Sequence, residues 1–347
     1  MNNSDWNIIF KLNEFSNYFS GKGLIQLSMS SKKSRNLLAK DIFKTLNLRS
    51  FICDKDYSSL FIKEISQNYS KYNIFINPFK PLSSELIESK IKFINDLKKF
   101  NRVLKSLVVN ECVRYHYLLN EIPYISSNIT TLIFKNSHFR LDTFQYLLDN
   151  FKCLEKLELF ENTILHNAEI SNEYTVKYPI SLRSLILYEN NVMMISDKVS
   201  SISIHEYCIG KETYNLIVTY QYLPNLVTFG HDMELSNSNE KEIFNFINLN
   251  PQLKSLILIG LYFIESLFYI IKDYENIISL EIDCENCIDG HDPEEIPVLH
   301  NIKYLHVKYF NCIGYIIKDK FPNLTDLVIY DDCGINNENN EIIESFL

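Results

Sequence analysis

Apolar positions along this chain follow a seven-residue phrase that returns at nearly regular intervals. Early copies are Val103-Leu104-Lys105-Ser106-Leu107-Val108-Val109, Asn128-Ile129-Thr130-Thr131-Leu132-Ile133-Phe134 and Cys153-Leu154-Glu155-Lys156-Leu157-Glu158-Leu159. The second, fifth and seventh places are apolar. The last two lie at strand period on one side of an extended chain, so each phrase predicts a short strand with one buried edge. Later copies have their first apolar residue at Leu182, Leu253, Ile277, Ile302 and Leu324, giving steps of 25, 25, 28, 71, 24, 25 and 22 residues from Leu104 onward. The long step holds weaker copies, Val199-Ser200-Ser201-Ile202-Ser203-Ile204 and Leu226-Val227-Thr228-Phe229. Between phrases, stretches such as Thr143-Phe144-Gln145-Tyr146-Leu147-Leu148 and Ile243-Phe244-Asn245-Phe246-Ile247 have helical spacing. Each unit then reads strand, loop, helix, which predicts an α/β stack of similar units rather than one globular core. The competing reading is an ordinary α/β domain whose strands are alike by chance.

The phrase resembles the leucine-rich repeat, L-x-x-L-x-L-x-x-N/C-x-L in units of 20 to 29 residues. The additional polar place is kept as Cys112, as Asn162 with Ile164 and as Asn190 with Val192; elsewhere it is Ser137, Leu261, Glu285 or Phe310. A side chain there would satisfy backbone groups in the turn leaving the strand. Its uneven retention implies a curved, irregular leucine-rich-repeat solenoid over residues 101–347.

Residues 1–50 lie outside this pattern and read as packed short helices. Ile8, Ile9, Leu12, Phe15, Tyr18 and Phe19 form one apolar stripe at helical spacing, and Leu24, Leu27, Ser31 and Arg35 share a second helical side. Two amphipathic helices joined at Ser20-Gly21-Lys22-Gly23 would make a hairpin. This segment resembles the F-box, which docks a protein onto the Skp-type adaptor of a cullin ubiquitin ligase. The matching residues are Tyr18-Phe19-Ser20, Leu24-Ile25-Gln26-Leu27-Ser28-Met29-Ser30-Ser31-Lys32 and Asp41-Ile42-Phe43-Lys44-Thr45-Leu46-Asn47-Leu48. The family shows Y-L-S, D-L-L-x-L-S-x-V-S-K and a closing L-W-x-x-L-x-L; here Gly23 stands where it has Asp, and its opening Leu-Pro is absent around Asn7-Ile8-Ile9. The resemblance implies that Leu12, Phe15, Phe19, Leu24, Ile25, Leu27 and Lys32 hold the adaptor. A purely physical alternative is that the hairpin caps the first repeat, because a solenoid must hide the core edge of its terminal unit. Residues 51–100 connect the two parts, with Tyr72-Asn73-Ile74-Phe75-Ile76 expected as a strand of an atypical first repeat and Ser83 to Phe100 as a helix.

Composition narrows the function. The chain has 347 residues, 46% of them hydrophobic, and a formal charge of −9. Its mean hydropathy is near zero and its pI about 5.5. An acidic chain argues against a nucleic-acid binder. The start lacks a basic segment and no long apolar run occurs, which predicts a cytoplasmic or nuclear protein. Eight scattered cysteines are expected to be reduced and buried. The charge is uneven: residues 281–295 hold seven acids with no Lys or Arg, while residues 22–49 are basic.

Little catalytic chemistry is legible. Eight glycines provide neither a dinucleotide fingerprint nor a phosphate loop. Cys284-Glu285-Asn286-Cys287 with His291 lacks the partners of a four-ligand zinc site. The run from Asp283 to Glu295 lacks the ligand order of a calcium loop. The expectation is therefore a non-enzyme without cofactor or metal. Residues between the buried leucines point out from the strands, and Phe160, Tyr188, Tyr304, Lys308 and Tyr330 form the expected partner-binding set, aromatic anchors among charges. The combined expectation is a substrate-recognition subunit that joins adaptor and cullin through its N-terminal segment and presents a substrate protein on its repeats. The alternative is a leucine-rich-repeat scaffold acting without a ligase.

Overall fold

The computed structural model describes residues 21–53, 74–75, 84–101, 103–112, 116–167, 175–195, 202–203, 213–216, 220–232, 240–259, 264–283, 296–308 and 317–329. Two compact units divide the chain. Unit 1 comprises residues 1–154, 161–174 and 191–214, and unit 2 residues 155–160, 175–190 and 215–347.

Unit 1 opens with two helices, Gly21–Met29 (α1) and Lys32–Ile42 (α2). The single helical side expected from Leu24 to Arg35 is broken at Ser30-Ser31. Ser30 Oγ donates to Leu27 O at 2.7 Å, and Ser31 Oγ accepts from Ser34 N at 3.0 Å, so one serine closes α1 and the next caps α2. The expectation that residues 1–50 are helical throughout is also corrected. Thr45–Asn47 (β1) is a strand, pairing in parallel with Ser106–Asn110 (β3) as Thr45↔Ser106 and Leu46↔Leu107. Among the described residues the repeat row thus starts at residue 45 rather than at 101, and Phe43-Lys44-Thr45-Leu46-Asn47-Leu48, read above as the close of an F-box, has the apolar spacing of a repeat phrase. Thr131–Lys135 (β4) continues the row in parallel.

The expected strand around Tyr72–Ile76 is present as Ile74–Phe75 (β2), but it pairs antiparallel with Ile202–Ser203 (β10). Neither segment joins the parallel row, so the weaker copy at Val199 is not a repeat strand. The helix expected over residues 83–100 is Ser84–Leu97, followed by a 3-10 turn at Lys98–Phe100. A further set of strands was not foreseen: His138–Arg140 (β5), Thr163–Asn167 (β7) and Asn191–Ile195 (β9) pair in parallel one repeat apart, and a short strand follows at Thr213–Asn215 (β11). Phe139 from β5 packs against Phe134 of β4 at 4.3 Å and against Phe144 at 5.4 Å, in the helix Leu141–Asn150.

Unit 2 is a row of seven parallel strands among the described residues: Lys156–Phe160 (β6), Ser184–Tyr188 (β8), Thr228–Asp232 (β12), Ser255–Ile259 (β13), Ser279–Asp283 (β14), Tyr304–Val307 (β15) and Asp326–Ile329 (β16). The copy at Leu226 is therefore a true repeat, with Thr228 level with Ser184 on one side and Ser255 on the other. Helices Glu240–Leu249 and Ile264–Ile271 supply the second layer, and Phe229 meets Phe246 at 4.6 Å.

The phrase's three apolar places form the core. Leu104, Leu107, Val109, Ile129, Leu132 and Phe134 in unit 1, and Leu182, Leu185, Leu187, Leu253, Leu256 and Leu258 in unit 2, are all at most 2% exposed. Each contributes about 1.5 to 3 kcal/mol of burial. Strand starts repeat one arrangement: a single carbonyl accepts two successive amides of the next unit. Lys44 O accepts from Lys105 and Ser106, Arg183 O from Val227 and Thr228, and Lys303 O from Thr325 and Asp326.

Candidate functional site

What fixes the exposed strand faces is the way each strand ends. Glu111, Asn136, Glu161 and Glu189 have positive φ of 49°, 47°, 53° and 48°, each immediately before the polar place of a repeat. The turn bends the chain, and the next side chain satisfies the groups left over. Ser137 Oγ lies 3.2 Å from Val109 O and accepts from Cys112 N at 3.0 Å. Asn162 Nδ2 donates to Phe134 O at 3.2 Å, while its Oδ1 accepts from Ser137 N at 3.1 Å. In unit 2, Asn190 Nδ2 donates to Leu159 O at 3.0 Å. Ser137, read above as a departure from the pattern, performs the same task as the asparagines.

A second ladder, missed in the sequence, lies at the opposite ends of the strands in unit 2. An amide side chain immediately before the first apolar place donates to a carbonyl of an earlier unit or loop: Asn225 to Ile180 O at 3.0 Å, Gln252 to Leu223 O at 2.6 Å, Asn276 to Pro251 O at 3.0 Å, Asn301 to Tyr274 O at 2.8 Å and Asn323 to His300 O at 2.7 Å. The signal was present as Asn225-Leu226, Gln252-Leu253, Asn276-Ile277, Asn301-Ile302 and Asn323-Leu324. Cys153 occupies the equivalent place in the third phrase and is exposed, contrary to the expectation of buried cysteines; Cys112 is buried as expected.

Held between these ladders, the outward residues of unit 2 form a face that is buried at Glu158 and Gly230, half-buried at Ile186, Ile257, Glu281 and His306, and exposed at Val328. Its middle row runs Glu158, Ile186, Gly230, Ile257, Glu281, His306 and Val328, one residue per strand in register. A Cβ on Gly230 would lie 3.1 Å from Ile186 Cγ2 and 3.3 Å from Ile257 Cβ. The two isoleucines therefore close over the glycine and make one apolar strip. Lys156 Nζ pairs with Glu158 at 2.6 Å, and His306 Nδ1 stands 4.0 Å from Glu281 Oε2. Asp232 Oδ2 accepts from Glu189 N at 2.7 Å, tying the neighbouring turn to β12.

Two of the expected partner-binding residues are brought together here. Phe160 and Tyr188 sit level on β6 and β8 with ring centroids 6.4 Å apart at 57°, and both are half-buried. Tyr304 is 41% exposed on β15 and Lys308 is exposed just beyond it. Tyr330 lies outside the described residues.

The expected adaptor-binding set divides. Leu12, Phe15 and Phe19 lie outside the described residues, as does the side chain of Ile25. Leu24 is 5% exposed and Leu27 half-buried, so the pair expected to need a partner's cover is largely covered within unit 1. Lys32 is exposed, and Met29 beside it is 71% exposed.

Other polar groups are structural in setting. His138 is half-buried as a residue, its Nδ1 is buried without a hydrogen-bond partner, and burial holds its pKa down to about 4. Tyr178 is fully buried with an unpartnered hydroxyl, and burial raises its pKa. No cluster of three or more metal-ligating side chains occurs among the described residues, and none of their helices is long and apolar enough to cross a membrane.

No protein-family model matches the chain, and no curated protein matches it. Among solved structures, the leucine-rich repeat domain of APL1B is similar over 74% of this chain and 96% of that one, at 11% identity and a TM-score of 0.18. A likeness that small carries no argument, and the repeat reading rests on the strand register and the paired ladders of this chain.

Proposed function

We propose that this chain is a non-catalytic scaffold that binds a protein partner on the outward strand face of unit 2. In its finer form, the proposal makes the chain the substrate-recognition subunit of a cullin ubiquitin ligase. The carrying observation is the register of that face: an Ile186–Gly230–Ile257 strip with Phe160 and Tyr188 beside it on β6 and β8, Glu281 next to it on β14, and Tyr304, His306 and Lys308 on or just after β15, one strand farther along. Large amphipathic side chains around an apolar strip suit desolvated anchoring, with a charged border that sets orientation. Such a subunit needs affinity and rigidity but no nucleophile. Holding a substrate lysine near a ubiquitin carrier raises its effective concentration, and the chemistry belongs to other subunits.

The finer reading rests on the F-box resemblance of residues 18–48, with exposed Met29 and Lys32 on the α1–α2 pair as its testable surface. Its test is co-purification with a Skp-type adaptor. Because Leu24 is buried, an acidic substitution there would unfold the segment, so the informative variant is Met29→Asp/Lys32→Glu. Stoichiometric capture by the wild type, lost in a variant of unchanged circular dichroism, supports the ligase subunit. A wild type that captures no adaptor removes it and leaves the scaffold. The reassignment of Thr45–Asn47 to the repeat row favours that second outcome, since it takes the closing motif away from the hairpin.

A further inference from the structure

Charge along the strand-start edge of unit 2 alternates from strand to strand. The residue just before each strand is Arg183 at β8, Val227 at β12, Lys254 at β13, Ile278 at β14 and Lys303 at β15. Arg183, Lys254 and Lys303 are exposed, and among the described residues none of the three has an ion-pair partner. Their backbones are fixed by one continuous ladder: Arg183 O accepts from Val227 and Thr228, Val227 O from Lys254 and Ser255, Lys254 O from Ile278 and Ser279, and Ile278 O from Lys303 and Tyr304. A cation therefore recurs at every second strand. The adjoining row consists of hydroxyls. Ser184, Thr228, Ser255 and Ser279 lie level in register, half-buried, on the same side as Ile186, Gly230 and Ile257. Among the described residues none of these hydroxyls has a hydrogen-bond partner. From β8 to β15 the two rows hold three cations and no acid, although the whole chain carries −9. Acids mark the limits of the edge, Glu155 just before β6 and Asp326 at the start of β16.

Spacing selects the form of the occupant. Neighbouring strands stand about 4.8 Å apart, so successive cations are about 10 Å apart. A polyproline-II segment rises about 3.1 Å per residue with three residues per turn, which returns every third side chain to one side after roughly 9 Å. Taking the outward strand face as the binding surface, we propose that it receives an extended acidic segment of the partner protein, which lies across the strands with a carboxylate at every third residue opposite Arg183, Lys254 and Lys303. The hydroxyls of Ser184, Thr228, Ser255 and Ser279 donate to those carboxylates or to the segment's carbonyls, and hydrogen bonds to an ionised acceptor are the stronger kind. The Ile186–Gly230–Ile257 strip beside them takes the segment's apolar residues. A nucleic acid fits this edge less well, because its charge on every nucleotide would stand against Glu158 and Glu281 in the next row.

The test is fluorescence anisotropy on the full chain, with circular dichroism as the check on folding. The probes are a labelled nonapeptide with aspartate at every third place and proline between, the same composition with its aspartates adjacent, the spaced peptide with lysine for aspartate, and an oligothymidylate. The spaced acidic peptide is expected to bind about tenfold or more tighter than the adjacent arrangement. Lys254→Glu and Arg183→Glu/Lys303→Glu should each weaken it by about tenfold or more, while Lys272→Glu, the same charge change on an exposed lysine just after the helix Ile264–Ile271, should leave it unchanged. Equal binding of the spaced and adjacent peptides, or equal loss in Lys254→Glu and Lys272→Glu, overturns the proposal. Tighter binding of the oligothymidylate overturns it in favour of a nucleic acid, and binding of no probe overturns it as well. Binding of the lysine peptide alone, lost in Ile257→Ser, overturns the acidic occupant but keeps the strand face as a binding surface. The spaced acidic peptide bound equally by wild type, Lys254→Glu and Ile257→Ser places its site elsewhere and overturns the use of this face too.

Discussion

Replacing Asn162 by alanine tests the device that ends each strand. Asn162 is fully buried and makes two bonds across repeats: Oδ1 accepts from Ser137 N at 3.1 Å, and Nδ2 donates to Phe134 O at 3.2 Å. Alanine removes both and leaves an amide and a carbonyl of the neighbouring unit without these partners in a place with little access to water. Each buried group so orphaned costs about 1 to 3 kcal/mol, which gives a loss of roughly 2 to 6 kcal/mol for the pair. Asn162→Leu is the complementary variant: leucine keeps the branched shape and leaves no cavity, though its greater bulk adds a packing cost, so a loss common to both variants reports the polar bonds. Urea unfolding followed by circular dichroism gives the free energy, and hydrogen exchange resolves the place. The Ser137 amide should lose protection in both variants while the amides of β13 and β14 keep theirs. If Asn162→Leu unfolds within about 0.5 kcal/mol of wild type, the usual range for substitutions that remove no specific feature, and Ser137 remains protected, the ladder does not hold the repeats.

Two further outcomes follow from buried groups. His138 is held neutral, with a pKa lowered from 6.5 to about 4 by burial. The unfolded chain therefore takes up a proton that the folded chain refuses as pH falls through this window. Stability from this residue is complete above about pH 6.5 and is lost toward pH 4, by an amount on the order of 2 kcal/mol once its partial exposure is discounted. Urea midpoints should show wild type losing stability relative to His138→Gln as pH falls from about 6.5 toward 4; parallel profiles would sink the assignment. Tyr178 buries a hydroxyl that has no partner, so Tyr178→Phe should raise thermal stability, by about 1 kcal/mol, from the relieved desolvation; a destabilised variant would mean that the hydroxyl is satisfied by bound water.

Strand positions were legible because burial at the second, fifth and seventh places acts locally: a period-2 pair such as Leu132 and Phe134 can hide one edge only as a strand. Helices such as Leu141–Asn150 were legible for the corresponding reason at helical spacing. The amide ladder before each strand was written in Asn276-Ile277 and Asn301-Ile302, yet the carbonyls it serves belong to other loops, so the residues did not reveal their partners. Likewise Leu24 carries the apolar spacing of a docking residue, and only packing within unit 1 decides that it is already covered. The segment Asp41–Leu48 fits a helical motif and a repeat phrase equally well as text; parallel pairing with β3 selects the strand. The sequence by itself determined that this protein is an α/β chain with a regularly repeated strand and helices between some of the copies, because that information lies in spacing within about ten residues. Tertiary structure decided where the row begins, which side chains serve as ladder rungs and which apolar residues stay exposed, because each depends on pairing between segments some 25 or more residues apart.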